Sequence, residues 1–332
     1  MDRVLGWLFK QVEVAPEYHV GRCLAAKGTG CTACADACPH DAITIGRRVA
    51  IDPIDCTGCG ICVGVCPSGA LEARGAAPVA SRLRCSQVAG TVSTVICLAR
   101  LSPTDMLRAA ADDPDGDLLL ARGDCASCPI GEPEVPARVE AAAARAAVLA
   151  DTVGRPFSLR LEERDRLDAD AKERELSRRE LFRGSGERAR RTAATALAPL
   201  ERLAGDDEEA SEVAAPLPIE WRDTMQALAA AELEPDALVP ARLPRIEPGC
   251  ILCPSCTRVC PTDALKRVFD PSGGVVLQLD PGRCVGCDAC MEVCPVDVVR
   301  MDDEVSWAEL SGGRVTVAEL TPKEPPPGSV TR

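Results

Sequence analysis

Cys56–Pro67 reads C-T-G-C-G-I-C-V-G-V-C-P. Cys56, Cys59 and Cys62 stand at successive C-x-x-C spacings, Cys66 follows after three more residues, and Pro67 closes the run. Tight C-x-x-C turns bring three thiolates round one small object, with alternate backbone N–H groups aimed inward at the sulfurs. The proline ends the turn and leaves the last cysteine facing away. Structural zinc draws on two ligand pairs rather than a triplet plus an offset cysteine, so the pattern favours a multi-iron cluster over a lone ion.

The pattern recurs. Cys250, Cys253, Cys256, Cys260 and Pro261 form a second regular copy, and Cys284, Cys287, Cys290, Cys294 and Pro295 a third. Cys31, Cys34, Cys38 and Pro39 make a fourth, but its first cysteine, Cys23, is set off by seven residues, L-A-A-K-G-T-G. Small side chains and two glycines suggest a loop that bulges outward while Cys23 still returns as a ligand. Without Cys23, this copy would hold a three-iron or labile cluster. H-D-A-I-T and S-G-A-L-E, which follow Pro39 and Pro67, repeat each other, and P-T-D-A-L and P-V-D-V-V begin at Pro261 and Pro295. His40 is a tempting ligand, but its slot holds Ser68, Thr262 and Val296 in the other copies, so it is not read as one. Ala42–Ile45 and Arg48–Ile51 are expected to pair as a hairpin round Gly46-Arg47, and Val275–Leu279 to be the strand between the two later runs.

Four C-P-terminated runs in two pairs resemble the bacterial two-cluster ferredoxin family, over about a third of the chain. The resemblance implies four [4Fe–4S] cubes, with the fourth cysteine of each run crossing to the neighbouring cube. Cube one takes Cys23, Cys31, Cys34 and Cys66; cube two takes Cys56, Cys59, Cys62 and Cys38. Cube three takes Cys250, Cys253, Cys256 and Cys294; cube four takes Cys284, Cys287, Cys290 and Cys260.

Between the pairs lie four more cysteines, Cys85, Cys97, Cys125 and Cys128. Thr91–Ile96 is a β-branched run read as a buried strand ending at Cys97. Ser102-Pro103-Thr104-Asp105 opens a helix to about Ala111, with Ser as N-cap and Pro at the first helical position. Asp117–Ala121 is a second strand, R-G-D-C-A-S-C-P-I-G a loop, and Val135–Ala150 an Ala-rich helix. A β-α-β-α order implies parallel strands, placing Cys97 and Cys125 at the carboxyl ends of adjacent strands. Cys85 precedes the first strand and can approach the same edge. The four are expected to share a metal site for a fifth iron–sulfur cluster or a zinc ion, a redox dithiol at Cys125 and Cys128 being the alternative. The strand–helix–strand pattern and G-D-C-x-x-C loop are similar to the small iron–sulfur subunit of hydrogenase–heterodisulfide reductase complexes.

The sequence therefore reads as α+β: two ferredoxin-like two-cluster units flanking a small α/β domain and a helical connector. The boundaries expected are 1–78, 80–150, 151–243 (connector, partly mobile), 244–305 (second unit) and 306–332 (tail). Met1–Lys10 is read as a short amphipathic helix, and Pro156–Arg191 as a solvated, charge-dense helix. Ser177–Phe182 superficially resembles a twin-arginine signal but is followed by polar residues. Trp221 and Leu228 suggest one docked helix, and Pro322–Arg332 is expected to be disordered.

Aromatic residues make up 2 % of the 332-residue chain and cysteines number twenty, so clusters are expected to replace part of an ordinary core. The net charge of −13 and the missing basic stripe exclude a nucleic-acid ligand. Metal-type spacings and no signal-peptide pattern in Met1–Gln11 point to a reducing cytoplasm, and no stretch is long and apolar enough for membrane insertion. The chain has no G-x-G-x-x-G or P-loop for a nucleotide. The functional reading is an electron-transfer protein without its own catalyst. By analogy it serves redox protein partners such as formate dehydrogenase, hydrogenase or heterodisulfide-reductase-like subunits. The alternatives are a redox enzyme working at Cys85, Cys97, Cys125 and Cys128, and an iron–sulfur sensor.

Overall fold

A computed structural model of the chain describes residues 14–46, 48–165, 216–269 and 274–320. The expected N-terminal helix, the charged stretch beyond residue 165 with Ser177–Phe182, and Pro322–Arg332 lie outside the described residues. The chain forms two compact units. The first combines Met1–His19 with Thr32–Val213, and the second combines Val20–Cys31 with Ala214–Arg332.

Each cysteine run winds into a single helical turn that carries its third cysteine: Ala33–Asp36, Ile61–Gly64, Ser255–Val259 and Ala289–Glu292. After each C-P pair the chain turns through a left-handed residue, at Asp41, Gly69, Asp263 and Asp297, with φ between 50° and 59°. Asp and Gly tolerate that conformation best, which explains the D/G at this place in all four repeats. Ile43–Ile45 and Val49–Ile51 pair antiparallel as the expected hairpin. Glu17–Tyr18 pairs with Leu71–Glu72, and His19 Nε2 lies 3.0 Å from the Glu72 carboxylate.

The first unit continues into a four-stranded, all-parallel sheet in the order Ser93–Val95, Arg82–Cys85, Asp117–Arg122, Ser158–Glu163. This differs from the sequence reading in three ways. Arg82–Cys85 is a strand and lies between the strands that lead to Cys97 and Cys125, so those two strands are not adjacent. Its two arginines had masked it, although Leu83 is 1 % exposed. The β-branched run is an edge strand with Ser93 and Thr94 exposed, not a buried one. Ser158–Glu163, read as helix, is the other edge; Leu159 and Leu161 pack on the core and the charged residues alternate with them, as an edge tolerates. Pro103–Ala110 opens with a capping box in which Ser102 Oγ accepts from the Asp105 N–H at 3.1 Å. Val135–Thr152 buries Val135, Val139, Ala142, Ala143, Ala146, Leu149 and Ala150 along one stripe.

The second unit is larger than the 244–305 expected. Helix Ile219–Ala230 docks through Leu228 (0 % exposed) and through Trp221, whose Nε1–H donates to the Gly282 carbonyl at 2.8 Å. Leu243–Ile246 pairs with Val299–Asp302, and Leu265–Phe269 with Val275–Leu279. Part of the expected tail is structured: Trp307–Ser311 is a helix, and Val315–Leu320 adds a third strand to Val275–Leu279. Its alternating V-T-V-A-E-L was legible as a strand.

The spacer after Cys23 is anchored at its first residue, while Ala26, Gly28 and Gly30 are exposed as expected of an outward loop. Leu24, 4 % exposed, packs with Val259 and Ala289 of the cysteine-bearing helices of the second unit. Arg22 is buried just before it and donates to the Pro216 carbonyl at 3.3 Å. Among the described residues no helix is long and apolar enough to cross a membrane.

Candidate metal centres

All twenty cysteines are free thiols. In the first unit Cys56, Cys59 and Cys62 gather with Cys38, the cysteine expected to cross from the other run. Burial pushes all three thiols up, and repulsion from Cys38 adds to the rise in each. The same four line one pocket beside Ile43, Ile51 and Arg100. In the second unit Cys256 is pushed up to about 11, first by burial, then by Cys253, Cys250 and the crossing Cys294. Cys284 rises to about 12 and Cys287 to about 11, again through burial first and then through the crossing Cys260. Cys260, Cys284, Cys287 and Cys290 line one pocket. Within the sets expected for cubes two, three and four, the thiols lie close enough to raise one another. For cube one, Cys34 and Cys66 lie in the first unit and Cys23 and Cys31 in the segment grouped with the second. That set rests on spacing alone.

Backbone amides meet the sulfurs two residues on, as the turns require. The N–H groups of Gly58, Ile61, Gly286 and Ala289 hold down the rise of Cys56, Cys59, Cys284 and Cys287. Each such bond favours the thiolate that a cluster needs. The Ala70 N–H likewise donates to Cys66 Sγ at 3.2 Å.

Cys85 is the last residue of one parallel strand, Cys97 follows the carboxyl end of a second, and Cys125 and Cys128 lie in the loop after a third. All four line one pocket at that end of the sheet. Burial pushes Cys97 up to about 12, with Cys59, Cys128 and Cys125 contributing. Cys125 is raised by burial and by Cys128 and Cys85, while Arg122 opposes. Cys97 takes an amide two residues on, from Ala99, as the ferredoxin cysteines do. The Gly131 N–H reaches Cys128 Sγ at 3.5 Å.

Among the described residues no group of three or more His, Cys, Asp or Glu side chains is placed to hold a metal ion, at the ferredoxin cysteines and at the middle four alike. The middle four share one pocket, and backbone amides reach the Cys97 and Cys128 sulfurs.

His40 is engaged elsewhere: its Nε2 meets the Ile130 carbonyl at 2.8 Å. Thr57 Oγ1 donates to the same carbonyl at 3.0 Å. No sequence signal announces a backbone acceptor, and neither contact was foreseen.

Residues 27–70 and 249–298 match the 4Fe-4S dicluster domain. The chain carries two ferredoxin-type domains. The second match contains all eight cysteines of its pair, whereas the first begins at Lys27 and leaves Cys23 out. Neither reaches Cys85, Cys97, Cys125 or Cys128, so the resemblance to the hydrogenase–heterodisulfide reductase subunit stays one of sequence pattern. No curated protein matches the chain.

Proposed function

We propose that this iron–sulfur protein relays electrons through four [4Fe–4S] clusters and a fifth, cysteine-held cluster in the middle of the first unit. It serves as a subunit or dedicated partner of a larger anaerobic-type oxidoreductase complex. The observation that carries the reading is the crossed gathering of cysteines: Cys38 with Cys56, Cys59 and Cys62, Cys294 with its triplet, and Cys260 with its own. Bound clusters would supply one-electron transfer at potentials set by hydrogen bonds to sulfur, charge and exposure. The chain supplies buried thiols, amides that steady them as thiolates, and dry surroundings. The charge of −13 suits docking to a basic patch on a redox partner.

The rival, a thiol enzyme at the middle site, needs a reactive thiolate. Burial pushes Cys97 to about 12 and raises Cys125, which opposes it. Turnover of a defined substrate that is lost in Cys125→Ser with all four cubes intact would establish that rival.

The test is an anaerobic count of iron and zinc with EPR at stepwise reduction. Four cubes give about sixteen iron, and a middle cluster raises this to about eighteen or twenty. About sixteen iron with one zinc makes the middle site structural and removes the fifth cluster. About fifteen means a three-iron first cluster.

A further inference from the structure

The loop of cube two and the loop of the middle site meet at one atom, the Ile130 carbonyl oxygen. Thr57 follows Cys56 directly, and His40 follows Cys38 by two residues; both are held on that carbonyl, at 3.0 and 2.8 Å. Ile130 itself lies two residues after Cys128, and its side chain packs on the core. The two loops also share that core: Cys59 and Ile61 are buried with Cys85, Cys97 and Leu98. A Cβ on Gly58 would come 3.2 Å from Ile96 Cδ1, so the cube-two turn lies flat on the strand end before Cys97.

We propose that His40 and Thr57 are positioning residues that lock the middle site to cube two, and that the Ile130 carbonyl joins the two for electron exchange. The connection runs from Cys56 through the Thr57 hydroxyl to Ile130 and back along the backbone to Cys128. Clusters held by Cys38, Cys56, Cys59 and Cys62 and by the middle four would supply one-electron exchange along this connection, one oxidised as the other is reduced. No bond breaks and no proton moves. This rests on the reading of the middle site as a cluster site.

The test uses the full-length, anaerobically loaded protein. Electrons are delivered by a rapid pulse, and their redistribution between cube two and the middle cluster is followed optically and by freeze-quench EPR. In Thr57→Val combined with His40→Phe, exchange slows about tenfold or more, as for reacting partners loosened from their alignment, while iron content holds. Thr57→Ser, which keeps the hydroxyl, restores the wild-type rate. An unchanged rate in the double variant with both clusters present overturns the proposal. Should the double variant lose a cluster, the unaltered protein decides. Microwave-power saturation of the cube-two signal must shift when the middle cluster is reduced, and no shift overturns the coupling. A wild-type count of sixteen iron instead removes the fifth cluster itself, and the coupling with it.

Discussion

Gly60 lies so close to Arg100 that a Cβ placed on it would come within 2.7 Å of the Arg100 Cα. Gly60 stands between Cys59 and Cys62 with φ at +80°, and Arg100 ends the short turn that follows Cys97. Two cysteine-bearing loops are thus pressed together where only hydrogen fits. Gly60→Ala should cost about 1–2 kcal/mol for the left-handed backbone and a further ~1–3 kcal/mol for the crowding. Loss of cube-two and middle-cluster EPR signals together, with those of the second unit kept, is the expected result. Loss of cube two alone would show that the contact does not transmit.

Leu24→Ala, a change beside the first unit's cysteine run, should weaken the second unit. Leu24 fills a buried space beside Val259 and Ala289, and truncating such a leucine costs about 2–5 kcal/mol. Anaerobic urea titration followed at the second unit's clusters should show an earlier midpoint.

Trp221→Phe removes the indole N–H that reaches the Gly282 carbonyl. About 0.5–1.5 kcal/mol should be lost, seen as a lower melting temperature of the second unit at unchanged iron content.

Cluster loading should strengthen as pH rises. Burial holds Cys256 and Cys287 near 11 and Cys97 and Cys284 near 12, above the usual 9.0, so each thiol is neutral at pH 7 and must lose its proton to bind iron. Protons therefore compete with iron, and because these values are raised, the gain continues above pH 9. Competition against an iron chelator from pH 6 to 10 measures it. A flat profile would mean that the thiols are already ionised.

The cysteine architecture was legible because ligand spacing is local: a C-x-x-C turn fixes its sulfurs whatever surrounds it. The αL residues after each C-P, Asp41, Gly69, Asp263 and Asp297, were visible as a repeat for the same reason. Arg82–Cys85 was not, since a central strand flanked by charged residues takes its place from neighbours on both sides. Leu24 gave no hint of its destination, because a lone leucine in a glycine-bearing loop is explained only by the distant groove it fills. The meeting of His40 and Thr57 at Ile130 depends on a backbone oxygen, which side-chain identity does not encode.

The second unit's dependence on Val20–Cys31 also sets a clock. Arg22 and its partner Pro216 are separated by 194 residues. At about 5–20 residues per second, a ribosome takes roughly ten to forty seconds between making one and the other. Throughout that interval Leu24 and Arg22 have nothing to pack against, and the last cysteines of the second unit are not yet made. Arg22 and Leu24 therefore reach their partners only after Pro216, Val259 and Ala289 have been made.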